Sequence, residues 1–209
     1  MSIRQKLSTA RRIGPAAATG AVLQALRELL YIDETFVVFE IRPEQVNPVT
    51  PTLSAGRWSA GSSLVAAFPH VSSLPAGVIA EMKTAPPMQK IHWIEVDGRL
   101  ASFGFSTPWE GAWRLSEARS SIDVPTGSVC LTTFETLPDL RGHRLYQSVL
   151  TAMLLEHFGR GARRAYIWCR RDNLPSYRAI TRVGFRETAI HRYRRLLGLA
   201  RLQVELIDR

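Results

Sequence analysis

The sequence is poor in cysteine and lysine, and it lacks any long apolar run. Its two cysteines, Cys130 and Cys169, lie inside apolar segments that predict strands. Cysteines in such segments are typical of reduced core thiols rather than of a disulfide framework, and neither has a sequence neighbour that would activate it as a nucleophile. No apolar stretch approaches the roughly 20 residues that span a bilayer, so we expect no association with a membrane.

The first residues of the chain contain charge but no apolar central region of the kind found in signal peptides. They read MSIRQKLSTARRIGPAAATG. Because a secretory signal needs such an apolar region, we expect the protein to be cytoplasmic.

Basic residues outnumber acidic ones, and nearly all of them are arginine. The 27 basic and 18 acidic residues give a net charge of +9, and lysine occurs only at positions 6, 83 and 90. Either this reflects compositional bias, or it attracts an anionic partner such as a phosphorylated cofactor, an acidic carrier protein or nucleic acid. Nucleic acid has only the charge in its favour, because no recognised binding motif is present.

The balance of apolar and charged residues is that of an ordinary globular domain. Apolar residues make up 45% of the 209 residues and charged residues 22%. A chain of this length forms one domain by default.

The N-terminal part contains few clear elements. Residues 1–17 read as a basic arm, and residues 19–31 predict a helix with a leucine stripe. Residues 35–42 are β-branched and aromatic and predict a strand that ends at Pro43. A loop and two short helical segments follow, at 43–63, 62–68 and 74–83.

From residue 90 onward the pattern is sharper. Asp97-Gly98 separates two apolar alternating segments, which predicts a hairpin. Residues 107–126 are polar and rich in turn formers. The elements predicted after them are a strand, a helix, a strand, a helix ending at Gly184 and a strand-rich segment, at 127–136, 142–158, 165–169, 174–182 and 185–206.

The order of these elements predicts an α+β protein with a mixed sheet. A strand–helix–strand unit over residues 127–169 needs a crossover and favours a parallel strand pair. The hairpin favours antiparallel pairing, so we expect a mixed, mostly antiparallel sheet with flanking helices.

The segment LPDLRGHRLYQSVL, residues 137–150, has the composition of a phosphate-binding turn. A strand ends before it and a helix is expected to begin near Gly142, where unpaired N–H groups and the helix dipole attract anions. Arg141, His143 and Arg144 add side-chain donors. The alternative is a plain strand-to-helix turn with solvated arginines.

The segment DNLPSYRAITRVGF, residues 172–185, repeats this strand-to-helix arrangement. Asn173 is expected to cap the helix or to bond a ligand amide. Gly184-Phe185 closes the helix, and a capped helix after a strand is the simple alternative.

Together the two segments resemble the acyl-CoA-binding motifs of the GNAT superfamily of N-acetyltransferases. The first motif corresponds to residues 141–146, and the second to Asn173, Ser176, Gly184 and Phe185. The resemblance implies a single acyltransferase domain over residues 1–209. Within it, residues 1–88 would be a divergent N-terminal part and residues 127–186 the acyl-CoA-binding core.

The resemblance implies acetyl-CoA or another acyl-CoA as co-substrate, and no metal. In that fold two parallel strands, here 128–136 and 165–169, splay apart and hold the pantetheine, while a backbone N–H near Thr136 or Leu137 bonds the thioester carbonyl. The cofactor-binding residues carried over from the motifs are Thr136, Leu137, Arg141, Gly142, His143, Arg144, Leu145, Tyr146, Asn173 and Ser176.

Three positions depart from the family pattern. Arg144 and Tyr146 replace small residues of the first motif, and Ile180 stands where many members have the tyrosine that protonates the departing thiolate. Tyr177 and Tyr146 are the nearest alternative acids.

A base must also deprotonate the amine. The first candidate is Glu135, beside the acyl site. The weaker candidates are His92, Glu95 and Glu117.

The implied function is transfer of an acetyl group to a primary amine of a small molecule or peptide by direct attack. Two alternatives stay open: a long-chain acyltransferase that uses acyl-CoA or an acidic acyl carrier protein, and a non-catalytic CoA-binding module. Four tryptophans line the acceptor pocket or, alternatively, pack in the core or against a second subunit of a homodimer: Trp58, Trp93, Trp109 and Trp113.

Overall fold

The computed structural model describes residues 31–115, 118–197 and 199–207. The predicted basic arm lies outside these residues, as does the predicted leucine-striped helix up to residue 30. Within them eight strands are found: β1 Tyr31–Ile41, β2 Trp58–Leu64, β3 Lys90–Val96, β4 Arg99–Leu115, β5 Ser120–Thr136, β6 Arg164–Arg170, β7 Arg186–Leu196 and β8 Leu199–Leu206. The helices are α1 Ala76–Met82, α2 Leu145–Gly159 and α3 Leu174–Val183.

The eight strands form one mixed sheet in the order β2-β3-β4-β5-β6-β1-β7-β8. All neighbouring strands run antiparallel except β5 and β6, which are parallel. This confirms the predicted α+β class, and it confirms the parallel pair expected from the strand–helix–strand unit.

The main core lies between the sheet and helix α2. Side chains of α2 that repeat at helical spacing, including Val149, Leu150, Met153 and Leu154, are fully buried against the strands. Each buried side chain of this size stabilises the fold by about 1.5–3 kcal/mol relative to exposure. Helix α2 therefore anchors its own N-terminal end against the sheet.

The prediction of a turn-rich loop over residues 107–126 was wrong. Strands β4 and β5 continue through this region as a long hairpin. Proline and glycine in the segment argue against a strand, but a register shift between Trp109 and Gly111 accommodates them, as β-bulges commonly do.

Two further predictions need correction. Strand β2 was predicted as loop because its sequence, WSAGSSL, is small and polar; it pairs along one edge of β3. Helix α2 begins at Leu145 rather than near Gly142, because Gly142 and Arg144 adopt positive φ angles of 86° and 60° that a helix excludes.

A second bulge lies in β5 close to the end of the parallel pairing. Phe103 pairs with Glu135 and Phe105 with Thr132, so Gly104 faces two residues, Thr133 and Phe134. Thr133 has a φ of 52°, a rare conformation for a β-branched residue. A Cβ on Gly104 would lie 2.3 Å from the Phe134 ring, so glycine lets that ring cross β4.

Candidate functional site

Strands β5 and β6 part after three residue pairs. Pairing joins Ser128, Val129 and Cys130 to Arg164, Ala165 and Tyr166 and then stops. β5 continues for six residues to Thr136 and β6 for four to Arg170. This is the splayed parallel pair that the GNAT resemblance implies, and two clefts open where the strands separate.

The first cleft, here called the helix-start cleft, has a volume of about 850 Å³ and lies at the N-terminal end of α2. It collects most of the residues predicted to bind the co-substrate. Those that line it are Thr136, Leu137, Arg141, Gly142, Arg144, Leu145, Tyr146, Asn173 and Ser176. His143 does not line it; the His143 carbonyl accepts a hydrogen bond from the Thr52 amide at 3.1 Å.

The charge of this cleft suits an anion. Arg141, Arg144 and Arg182 line it, and Glu135 is the one carboxylate among its described lining residues. Guanidinium groups form short, charge-assisted bonds to phosphate. Sequence reasoning missed Arg182; its place in the last turn of α3 becomes informative only when the cleft is known.

The turn before α2 directs its backbone toward the cleft. No side chain caps this helix end, and the first two helical residues, Leu145 and Tyr146, line the cleft. Their N–H groups have no carbonyl partner within the helix. An anion at this end would satisfy them and the helix dipole together.

The second motif folds as predicted. Asn173 caps α3 by accepting a hydrogen bond from the Ser176 amide at 3.3 Å, and Gly184 ends the helix in the left-handed conformation. The Ser176 hydroxyl lies 3.2 Å from the Tyr146 hydroxyl. Burial raises the pKa of Tyr146, so this hydroxyl stays protonated at neutral pH.

Two backbone N–H groups at the end of β5, those of Thr136 and Leu137, were predicted as donors to a thioester carbonyl, and the pairing of β5 distinguishes between them. The Leu137 amide donates to the Ala101 carbonyl at 2.9 Å, so Leu137 is excluded as that donor. Alternate residues of a strand point their N–H groups to opposite sides. The Thr136 N–H is therefore directed away from β4, toward the gap that β6 leaves.

The second cleft, here called the tryptophan cleft, has a volume of about 660 Å³ and is lined by β5 and β6 where the two strands no longer pair. Three tryptophans line it: Trp109, Trp113 and Trp168. The ring centroid of Trp113 lies 5.8 Å from that of Trp109 and 5.9 Å from that of Trp168. Trp109 and Trp113 are among the four tryptophans named from the sequence, whereas Trp168 is not. The two clefts share four lining residues: Phe134, Tyr146, Asn173 and Ser176.

The other two tryptophans named from the sequence pack in the interior. Trp58 lies against the main core and Trp93 against a smaller cluster around Phe68. Neither lines either cleft.

Of the residues predicted to be catalytic, two line a cleft and one does not. Glu135 lines the helix-start cleft, and Tyr146 lies where the two clefts meet. Tyr177 lines neither cleft, and its hydroxyl donates to Glu187. Ile180, which stands in place of the family tyrosine, is fully buried in the main core.

The weaker base candidates lie elsewhere. His92 is buried, with its ring within hydrogen-bond distance of Ser106. Glu95 pairs with His70 at 2.6 Å and accepts a hydrogen bond from Trp93. Glu117 lies outside the described residues.

Among the residues that the structure describes, no helix is long and apolar enough to cross a membrane. No group of three or more His, Cys, Asp or Glu side chains there is arranged to hold a metal ion.

Comparison with known proteins gives structural likenesses only. No family model and no curated protein matches the sequence. A GCN5-related N-acetyltransferase from Sphaerobacter thermophilus superposes with a TM-score of 0.52 at 14% identity, over 88% of this chain and 58% of its own. A tandem GNAT protein from the clavulanic acid biosynthesis pathway gives 0.51 at 12% identity, over 74% and 50%.

A Drosophila protein gives a TM-score of 0.54 at 14% identity, over 86% of this chain and 57% of its own. The chain thus spans between half and three fifths of the length of these three structures. The sheet order, the parted parallel strands and these likenesses define the class: the chain has the GNAT fold, as the sequence motifs predicted.

Proposed function

We propose that the chain is an acyl-CoA-dependent N-acyltransferase that transfers an acyl group, with acetyl as the first choice, to a primary amine. The observation that carries this proposal is the helix-start cleft, where an uncapped helix end and three arginines adjoin the gap between β5 and β6. We also propose that residues 127–186 form the acyl-CoA-binding core of one domain.

The described residues fit such a co-substrate. Arg141 and Arg144, with the N–H groups at the start of α2, would hold the pyrophosphate. The gap between β5 and β6 would take the extended pantetheine, whose amides match the backbone groups of β5 that β6 no longer pairs. A volume of about 850 Å³ lies within the range of known ligand sites.

The proposed mechanism is direct attack by the amine. The bound thioester supplies an activated acyl carbon. The Thr136 N–H stabilises negative charge on the carbonyl oxygen, and the meeting of the two clefts brings the reactants together, which supplies rate by proximity. The acyl length stays open between acetyl and longer chains, as does delivery by a carrier protein.

Thermal unfolding with CoA tests this proposal. A ligand at 100 times its Kd stabilises the native state by about 2.7 kcal/mol, which for a protein of this size raises the Tm by about 5–10 °C. We expect that shift with CoA and acetyl-CoA. ATP at equal concentration is the control, because it carries phosphates and adenine but no pantetheine. Equal shifts with ATP, or no shift with CoA and longer acyl-CoAs, would overturn the proposal.

A further inference from the structure

The tryptophan cleft has the chemistry of an amine-binding site. We propose that it binds the acceptor, that the acceptor is a primary amine carried on an aromatic or alicyclic body, and that Glu81 takes the proton that this amine loses. The inference rests on the proposed acyl transfer, and it adds a substrate class and a proton acceptor.

The position of the cleft allows an acceptor to reach the gap between β5 and β6. Phe134 and Tyr146 belong to both clefts. The tryptophan cleft is also lined by residues 131–134 of β5 and 167–169 of β6, which no longer pair with each other. A molecule held against its tryptophans therefore lies next to the gap proposed for the pantetheine.

The three tryptophans favour a flat apolar body. Trp113 lies between Trp109, at an interplanar angle of 48°, and Trp168, at 77°. These rings form a continuous wall from an exposed rim, where Trp109 is 39% exposed, toward the half-buried Trp168. Aromatic walls of this kind bind rings by stacking and edge contacts, and they attract organic cations.

Two hydrogen-bond acceptors complete the site. The Glu81 carboxylate accepts a hydrogen bond from Thr133 at 2.8 Å, and Thr133 precedes Phe134 in the β5 bulge. Gln89 is only 7% exposed, and its side-chain oxygen has no partner in the part of the chain that the structure describes. Since an unpaired buried acceptor costs about 1–3 kcal/mol, a ligand with several N–H or O–H donors is favoured.

The charge of the cleft argues against a polycation. Among its described lining residues Glu81 is the one carboxylate, and Arg114 is a basic one. A spermidine-like acceptor would place several positive charges beside a single carboxylate. A monoamine can pair its single positive charge with the Glu81 carboxylate while its apolar body contacts the tryptophan rings.

Glu81 is better placed than Glu135 to take the proton. Glu135 lines only the helix-start cleft, whereas Glu81 lines the cleft assigned to the amine. The ammonium group gives one proton to Glu81, and the neutral nitrogen bonds to the thioester carbon. The C–S bond breaks with its electron pair on sulfur, and the second nitrogen proton neutralises the thiolate. Glu81 is exposed and returns its proton to water.

The test compares two primary amines that differ in body and in charge. With acetyl-CoA, we expect 2-phenylethylamine to be acetylated with a kcat/KM at least tenfold above that of spermidine. Trp113→Leu should raise the KM for 2-phenylethylamine more than tenfold and leave CoA affinity unchanged. Binding of 2-phenylethylamine to the CoA complex should also quench tryptophan fluorescence. In Trp113→Leu the Kd from this titration should rise by a factor similar to the rise in KM.

Glu81→Gln tests the proton acceptor. We expect kcat near pH 7 to fall at least a hundredfold and to recover as pH rises, because the free amine becomes more abundant. Glu44→Gln alters an exposed carboxylate that lines neither cleft; it is the matched control and should be unchanged. A preference for spermidine, or a pH-independent response to Glu81→Gln, would overturn this inference while CoA stabilisation left the proposed function standing. A protein that CoA does not stabilise would overturn the proposed function itself.

Discussion

Tyr146 holds its hydroxyl beside Ser176 at the point where the two clefts meet. Its ring packs on Phe134, with centroids 4.9 Å apart. Large side chains thus occupy two positions of the first motif where the family has small residues, Arg144 and Tyr146, without closing the cleft. The backbone N–H groups at this helix start stay available at the cleft whatever the side chains are.

Neither tyrosine candidate is expected to be essential as an acid. A thiol has a pKa of about 8.5, so a thiolate leaves without full protonation. We predict that Tyr146→Phe and Tyr177→Phe each reduce kcat less than tenfold, with 2-phenylethylamine and acetyl-CoA as the assayed pair. Tyr177 is the more tolerant position, because its hydroxyl already donates to Glu187. A thousandfold loss in either variant at unchanged CoA affinity would identify that tyrosine as the acid.

At the scale of elements, the start of α2 combines a strained backbone with the phosphate binding proposed for it. Arg144 precedes the helix at a φ of 60°, a left-handed conformation that costs a non-glycine residue about 1–2 kcal/mol. Gly142 is also left-handed, and an added Cβ would meet nothing within 4 Å. Conformation rather than space therefore demands glycine at position 142.

Two substitutions at Arg144 distinguish the effect of its backbone strain on stability from the effect of its guanidinium charge on CoA binding. Arg144→Gly should raise the free energy of unfolding by about 1 kcal/mol, whereas Arg144→Ala keeps the strain and should not. Both remove the guanidinium and should weaken CoA binding to a similar degree, by several-fold. Denaturant unfolding and CoA titration measure the two effects. Unchanged CoA affinity in both variants would mean that the backbone alone binds the phosphate there.

At the scale of the whole molecule, a buried polar cluster joins α2 to β3 and β4. The Ser106 hydroxyl lies 3.1 Å from His92 and 2.8 Å from His157. Burial lowers the pKa of His92 to about 4, although the negative charge of Glu156 acts to raise it. Burial also lowers the pKa of His157. Burial acts to raise the pKa of Glu156, but hydrogen bonds from Lys90 and Ser62 outweigh it and lower the pKa to about 2.

This cluster predicts acid sensitivity. Between an unfolded pKa of 6.5 and the native value of about 4, His92 binds a proton in the unfolded state but not in the native one. Stability therefore falls as pH falls through this window. At pH 5 the loss from His92 alone is about 2 kcal/mol, or roughly 4–8 °C in Tm.

Thermal unfolding between pH 8 and pH 4 measures the effect. We expect a constant Tm above pH 7 and a steady decline below it. His92→Gln should be less stable at pH 8 and decline less steeply, with part of the slope left from His157 and His191, whose pKa values are also lowered. A His92→Gln variant with the wild-type slope would rule out His92 as the main source.

Features that depend on neighbouring residues were predictable from the sequence. The Asn173 cap, the Gly184 helix end and the hairpin at Asp97-Gly98 each involve residues a few positions apart. Their backbone preferences act within one turn, so local sequence suffices. The two motif segments are also local, and nine of the ten residues assigned from them line one cleft, although their binding of a co-substrate stays a prediction.

The existence and lining of the tryptophan cleft could be seen only in the tertiary structure. Glu81, Gln89, Trp113 and Trp168 lie on separate segments, and the cleft forms because the β4–β5 hairpin extends past residues whose prolines and glycines predict a loop. Strand register across that hairpin sets which side chains face the gap, and register depends on pairing between distant residues. The sequence by itself thus determined the fold class and the two helix starts beside the first cleft, while the packing of distant strands decided the shape and lining of the second cleft, where the acceptor amine is proposed to bind.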